Sequence, residues 1–427
     1  MKRQEIRSAP RRGQVMILGV LFVVLLVGMS ALAFDLGYLY VVKTLLTTSV
    51  DAAALTGIRK LPDGASEAKA AVERTFDANF QTGALLTKSR TLTQVDIASI
   101  DGAQRLSITA EAVAPLYFAR WFGAATTTVK AQAQSMRRSR NVILALDYSD
   151  SVRGDLPAIK AAAIDFLSHF DPALDQVGLA TFSTMAGIDY EPQTNFVTGM
   201  TNAIEAIQAE SWTNSATGLY WAYRALKDAP DPVAHMKLNS IVFFTDGIAN
   251  VFPGKFTIDT RFGSGCTDAE GVVGYGGPVL NLDAPAHPVT RSDYLPPDGC
   301  TGYPYAKDAE TVWYPQGGYL PGGVSVFGLR LKNGSASAIW TDRRAVAANM
   351  QVNISHAIRN DPDLDITINA IGFGAVEADV LNAVANTDLS VEYDSSKNEG
   401  LYVYANDTTE LVEAFRRVAS SVGRLVK

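Results

Sequence analysis

Residues 15–34 read VMILGVLFVVLLVGMSALAF, twenty consecutive positions without a charge. At about 1.5 Å of rise per residue, such a run as a helix spans a bilayer's hydrocarbon core of about 30 Å. Lys2, Arg3, Arg7, Arg11 and Arg12 precede it against a single Glu5. A cationic flank of this kind stays cytoplasmic, which sends the C-terminal bulk of the chain across the membrane. The competing reading is a cleaved signal peptide, for which Ala31-Leu32-Ala33 supplies small residues. The run is longer than the roughly 7–15 residues of a signal core, however. No loop follows it either: DLGYLYVVKTLLTTSVDAAALTG, residues 35–57, contains no proline and continues as helix. A retained, single-pass anchor with its N-terminus in the cytoplasm is therefore expected.

The expected organisation is a basic tail over 1–13, a membrane helix with its continuation over 14–60, a small α+β domain over 61–138 and an α/β domain over 139–427. Within the continuing helix, Leu36, Tyr40, Lys43, Leu46 and Val50 define no clean single face, so this half packs on something. Pro62-Asp63-Gly64 breaks it. A second helix is expected over 66–80 and strands over 93–99, 105–114 and 126–134, the middle one alternating in LSITAEAVA. Asp101-Gly102 is a hairpin signal. Trp121 and Phe122, at a turn, read as local packing.

After residue 140, apolar strands alternate with helices. Strands are expected at 141–146, 177–182, 240–244, 365–372 and 401–404, and helices at 156–170, 203–208, 217–227, 344–359, 377–386 and 408–425. Such alternation implies a parallel sheet covered on both faces. Residues 251–325, rich in Gly, Pro, Asp and Tyr, interrupt it as a long irregular insertion. Both cysteines of the chain, Cys266 and Cys300, fall there. Without a C-x-x-C or Cys/His cluster they read as one disulfide in an oxidising compartment, the alternative being two unrelated thiols.

The net charge is −7; the first thirteen residues carry +4, so the remainder stands near −11. That balance excludes the basic folded domain of a nucleic-acid binder. The four histidines are dispersed, and no H-E-x-x-H, G-x-S-x-G or G-x-x-x-x-G-K-[ST] occurs, so no enzyme is expected. Three short polar motifs each sit where a parallel sheet places functional loops: Asp147-Tyr148-Ser149-Asp150-Ser151 after NVILAL, Thr213-Asn214 opening a helix, and Thr245-Asp246-Gly247 after SIVFF. Strand-carboxyl ends of an open α/β sheet face a common crevice. Asp147, Ser149, Ser151, Thr213 and Asp246 offer only oxygen donors there, which suits one hard divalent cation, Mg²⁺ or Ca²⁺, with water and a partner completing the shell. The bland alternative keeps these residues for loop capping without metal.

In this order the motifs resemble the von Willebrand factor A domain, a doubly wound, Rossmann-like α/β fold. DQVGLATFS (175–183) and INAIGFG (368–374) are similar to the family's second and fifth strands. The resemblance implies a metal-ion-dependent adhesion site in which Ser149, Ser151 and Thr213 bind the metal directly, and Asp147 and Asp246 directly or through water. It also implies a protein partner whose acidic side chain takes the open position. Trp212 stands where the family usually has glycine, and Val152 where it often has Met or Gly.

Upstream, RRGQVMILGVLF with FDLGYLYVVKTLLTTSVDAAALTG resembles the N-terminal segment of TadG-like proteins of the tight-adherence (Flp) pilus system, residues 61–138 being its pilin-like extension. The combined expectation is a membrane-anchored, periplasmic or surface-facing assembly or adhesion protein whose partners are other pilus-assembly or surface proteins. The alternatives are a structural pilus component with a purely stabilising metal and a metal-dependent hydrolase.

Overall fold

The computed structural model describes residues 12–100, 103–229, 238–274, 278–281, 295–315, 319–320, 322–329, 331–332 and 343–422. The chain divides into two compact units, Met1–Arg137 and Arg138–Lys427.

The first unit begins with α1, a single helix over Arg12–Lys60. From Met16 onward it is long and apolar enough to cross a membrane, and its most apolar stretch is not buried in the protein. Its second half packs. Val42, Leu46, Val50, Ala53, Ala54 and Ile58 are at most 5% exposed, a stripe at helical spacing. Of the five positions weighed in the sequence, Leu46 and Val50 belong to this stripe, whereas Leu36, Tyr40 and Lys43 are exposed, which is why the five define no single face. α2 (Ala65–Asn79) buries Ala68, Val72 and Phe76 against it. Gly57, the last residue of DAAALTG, permits the approach: a methyl there would fall 2.4 Å from Val72 Cγ2.

Strands β1 (Ser89–Ile100), β2 (Ala103–Pro115) and β3 (Thr126–Arg138) form an antiparallel sheet in that order. β2 turns Leu106, Ile108, Ala110, Ala112 and Ala114 to the helices, the period of 2 that a half-buried strand requires. Ile100 pairs with Ala103, and the hairpin signal Asp101-Gly102 between them lies outside the described residues. Trp121 and Phe122 are not packed: they are 78% and 92% exposed.

The second unit is built on a six-stranded sheet. In chain order its strands are β4 (Arg140–Asp147), β5 (Gln176–Phe182), β6 (Ala186–Gln193), β7 (Leu238–Thr245), β14 (Ile366–Phe373) and β15 (Tyr402–Ala405). In space they run β15-β14-β7-β4-β5-β6, all parallel except the edge strand β6. The sequence reading had no counterpart for β6, whose IDYEPQ carries little apolar signal. Every residue of β4 is buried, as expected of a parallel strand covered on both faces. Its odd and even positions serve two cores. Val142, Leu144 and Leu146 meet α3 (Leu156–Leu167), α4 (Val197–Ala206) and α8 (Thr408–Val422). Ile143 and Ala145 meet α5 (Ser215–Lys227), α6 (Arg343–Arg359) and α7 (Ala378–Ala385).

The insertion is more regular than its composition suggests. β8 (Val251–Ile258), β9 (Asp268–Gly274), β10 (Val279–Leu280) and β11 (Ala306–Ala309) form an antiparallel sheet in the order β10-β9-β8-β11. β12 (Val312–Trp313) and β13 (Val324–Ser325) form a second pair. These strands are short and interrupted by glycine, and β8 contains Pro253, which hides the period of 2 from a sequence window. The Cys266 and Cys300 sulfurs are paired, with Cα atoms 5.0 Å apart.

Candidate metal centre

β4 and β7 are neighbours, with Leu146 opposite Phe244. Asp147 and Asp246 therefore emerge side by side at the carboxyl edge of the sheet. The Asp147 carboxylate is fixed from two directions. Its Oδ1 accepts from the Ser149 backbone N–H at 2.8 Å, and its Oδ2 accepts from the Thr245 hydroxyl at 2.5 Å. Ser149 Oγ lies 3.0 Å from Ser151 Oγ, and Ser151 Oγ donates to Asp246 Oδ1 at 2.7 Å. Thr213 joins from the loop before α5. A methyl built on Gly247 would sit 3.4 Å from Thr213 Oγ1 and 3.5 Å from Ser151 Oγ, so both hydroxyls face the same glycine. The five candidate residues thus lie in one cluster.

A polar scaffold holds the three loops together. Tyr148 donates its N–H to Phe182 O, Glu210 to Tyr148 O and Asp150 to Ser211 O. Thr213 N–H donates to the Asn250 side chain at 3.0 Å, while the N–H groups of Asn250 and Val251 return to Thr213 O. Asn214 caps α5 by accepting from Thr217 N–H at 3.3 Å. Trp212 packs beside Met185, which precedes β6, and beside Val251, Val272 and Leu280 of the insertion. Its ring leaves no room for a side chain at Gly274, where a methyl would fall 2.4 Å away. Thr245 and Trp212 stand in or beside the motifs visible in the sequence, but their contacts are set by strand register and by the insertion; Asn250, three positions after Gly247, carried no sequence signal of its own.

Asp147, Ser149 and Thr213 are at most 3% exposed and Asp246 is 8% exposed, whereas Ser151 opens to solvent. Burial pushes the Asp147 carboxyl up to about 7, with the neighbouring Asp246 charge adding to the rise. Burial also raises Asp246, and Asp155 contributes in the same direction. Two carboxyls held above their ordinary range by burial and by other carboxyls are groups that a nearby cation would favour in ionised form. Among the described residues no group of three or more His, Cys, Asp and Glu could hold a metal ion. A cation here would consequently rest on hydroxyl oxygens as much as on carboxylates, a donor set that fits Mg²⁺ or Ca²⁺. Beside the cluster lies a cavity of about 590 Å³ lined by Asp150, Thr184, Glu210, Ser211 and Trp212, and across from them by Pro278, Leu280 and Tyr303 of the insertion.

Residues 142–248, which contain all five candidates, match the von Willebrand factor type A domain family. Residues 13–69 match the Flp pilus-assembly TadE/G-like family. The chain thus carries a von Willebrand factor type A domain. More particularly, it joins that domain to an N-terminal segment similar to the TadE/G-like pilus-assembly family. Among solved structures it is similar to the PilB minor pilin from Streptococcus sanguinis (16% identity, 78% of each chain covered, TM-score 0.37). It is also similar to the vWF domain of the type V pili tip protein Mfa5 from Porphyromonas gingivalis (14% identity, 68% of this chain and 97% of that one, TM-score 0.38). At these scores neither likeness carries a functional argument. No curated protein matches the chain in sequence.

Proposed function

We propose that this is a membrane-anchored, extracytoplasmic protein of pilus assembly or adhesion. In this reading its A domain captures a protein partner through one divalent cation held by Asp147, Ser149, Ser151, Thr213 and Asp246. The observation that carries the reading is the continuous oxygen chain from Ser149 through Ser151 to Asp246, open to solvent at Ser151. A bound cation supplies a concentrated positive charge at that opening. A carboxylate from the partner would complete its shell, and binding rather than catalysis is the role assigned. The cavity walled by Trp212, Leu280 and Tyr303 adjoins the cluster and suits the residues flanking that carboxylate. The cationic flank of the apolar run supports the orientation, with the A domain on the far side of the inner membrane.

The test is a crosslinking pull-down from membranes with Mg²⁺, with Ca²⁺ and with chelator, comparing wild type with Asp147→Ala. A partner recovered only with cation and only by wild type is expected. Recovery that survives both chelation and Asp147→Ala would sink the proposal. A lowered melting temperature on chelation, with partner recovery intact, would leave the cation a structural role only.

A further inference from the structure

The first unit carries an apolar surface that its own core does not use, and that surface sits where α1 leaves its apolar run. Asp35, the residue immediately after that run, is 3% exposed and reaches across 82 positions to the turn between β2 and β3. Its carboxylate accepts from the backbone N–H of Tyr117 at 2.9 Å, Phe118 at 3.1 Å and Ala119 at 2.8 Å. Phe34 and Tyr38, on either side of it, meet the same turn edge-on: Phe34 lies 5.8 Å from Tyr117 and 5.6 Å from Phe118, and Tyr38 lies 5.3 Å from Tyr117. A second loop is tied to the same level of α1, where the Tyr38 hydroxyl donates to Leu85 O at 2.7 Å.

Both loops point apolar tips outward. Phe118 is 42% exposed, Trp121 78%, Phe122 92% and Leu86 70%. Leu85 and Leu86 hold positive φ of 50° and 62°, a conformation that leucine seldom adopts. Residues 81–88 and 116–125 include no carboxylate; their only charges are Lys88 and Arg120, both cationic and exposed. The Arg120 guanidinium lies 5.7 Å from the Trp121 ring centre. Exposed Trp, Phe and Leu beside lone cations, at the level where a membrane helix emerges, is the composition that partitions into the headgroup–acyl boundary.

We propose that the loops 81–88 and 116–125 form a foot that seats the first unit on the bilayer surface through which α1 passes. Trp121, Phe122 and Leu86 enter the boundary, Arg120 and Lys88 meet lipid phosphates, and Asp35 is the latch that positions the aromatic turn. This rests on residues 15–34 being a retained span.

The test uses the full chain reconstituted in vesicles of phosphatidylcholine and phosphatidylglycerol brominated on their acyl chains. The difference in emission between wild type and Trp121→Phe isolates Trp121. That component should be blue-shifted and lose most of its intensity to brominated lipid, several-fold more than to aqueous acrylamide. Asp35→Ala, which keeps Trp121 but removes the latch, should lower lipid quenching at least twofold. Trp121 emission at the wavelength of water-exposed indole and quenched by acrylamide would overturn the foot, as would shielding from both quenchers. Flotation separates the two ideas. Protein that floats while Trp121 stays in water refutes the foot alone, whereas protein that fails to float refutes the anchor and the foot together.

Discussion

Asp147 sits in a setting whose pH behaviour can be worked out. Its carboxyl is raised to about 7 by burial and by Asp246, against roughly 3.9 in the unfolded chain. Between those values the cation-free native state holds a proton that the unfolded state has lost. This group's contribution to stability therefore falls as pH rises from about 4 to about 7. A cation needs the carboxylate, so its stabilising effect should grow over pH 6 to 8. At a hundredfold excess over its dissociation constant it would add about 2.7 kcal/mol, several degrees in melting temperature for a domain this size. Asp147→Asn should remove that gain while melting close to wild type in chelator. Thermal melts at pH 6 and pH 8 with and without Mg²⁺ check both statements, and an equal cation-induced shift in wild type and Asp147→Asn would refute them. How much of the cluster could be read in the sequence follows from the same residues. The motifs of Asp147 and Asp246 stand directly after apolar strands and Thr213 just before a helix, positions whose loops an open α/β sheet gathers at one edge. Thr245's bond to Asp147 could not be read, because it depends on which strand lies beside β4.

Among the elements, α1 and α2 depend on a missing side chain. At Gly57 a methyl would already approach Val72 Cγ2 to 2.4 Å and Leu106 Cδ1 to 3.1 Å. Gly57→Val should therefore destabilise the first unit by about 1–3 kcal/mol, and should do so despite valine's better helix propensity. Denaturant unfolding followed by protease sensitivity within 61–137 would show it; an unchanged midpoint would mean that α2 shifts to accommodate the branch. The motif DAAALTG was visible in the sequence, but its reason was not, since Val72 and Leu106 are remote in the chain. The insertion reverses the case. Its strands went unread because their pairing, such as Phe256 with Ala309, is non-local and their residues alternate poorly. Its cysteines were readable because they are the chain's only two and stand without a C-x-x-C or Cys/His cluster. With 34 positions between Cys266 and Cys300, closing that loop is worth about 3–4 kcal/mol by chain entropy. Cys266→Ser with Cys300→Ser should speed limited proteolysis within 259–305 severalfold. Cleavage at the wild-type rate would show the bond to be dispensable.

For the molecule as a whole, the two units answer different questions. The alternating pattern after residue 140 made the doubly wound sheet legible, because buried parallel strands must be apolar throughout and their connections helical. The first unit gave fewer signs: alanine is the commonest residue of its core, and contacts such as Asp35 to the turn after β2 join α1 to residues dozens of positions away. The proposed cation site and the proposed membrane foot belong to separate units, so they can be varied independently: Asp147 variants test one, Asp35 and Trp121 variants the other.

The uninterrupted course of α1 has a mechanical consequence. Forty-nine helical residues make a rod of about 74 Å, of which about 30 Å suffices for the hydrocarbon core. The remainder is the spine of the first unit, with Val42 to Ile58 clamped by α2 and β2. A pull on that unit is thus carried as axial tension in one helix, with no break inside Arg12–Lys60 to yield first. If residues 15–34 span a bilayer as proposed, the load would reach the lipid as the work of drawing an unbroken apolar segment into water, and the anchorage should resist a steady pull better than a jointed tether would.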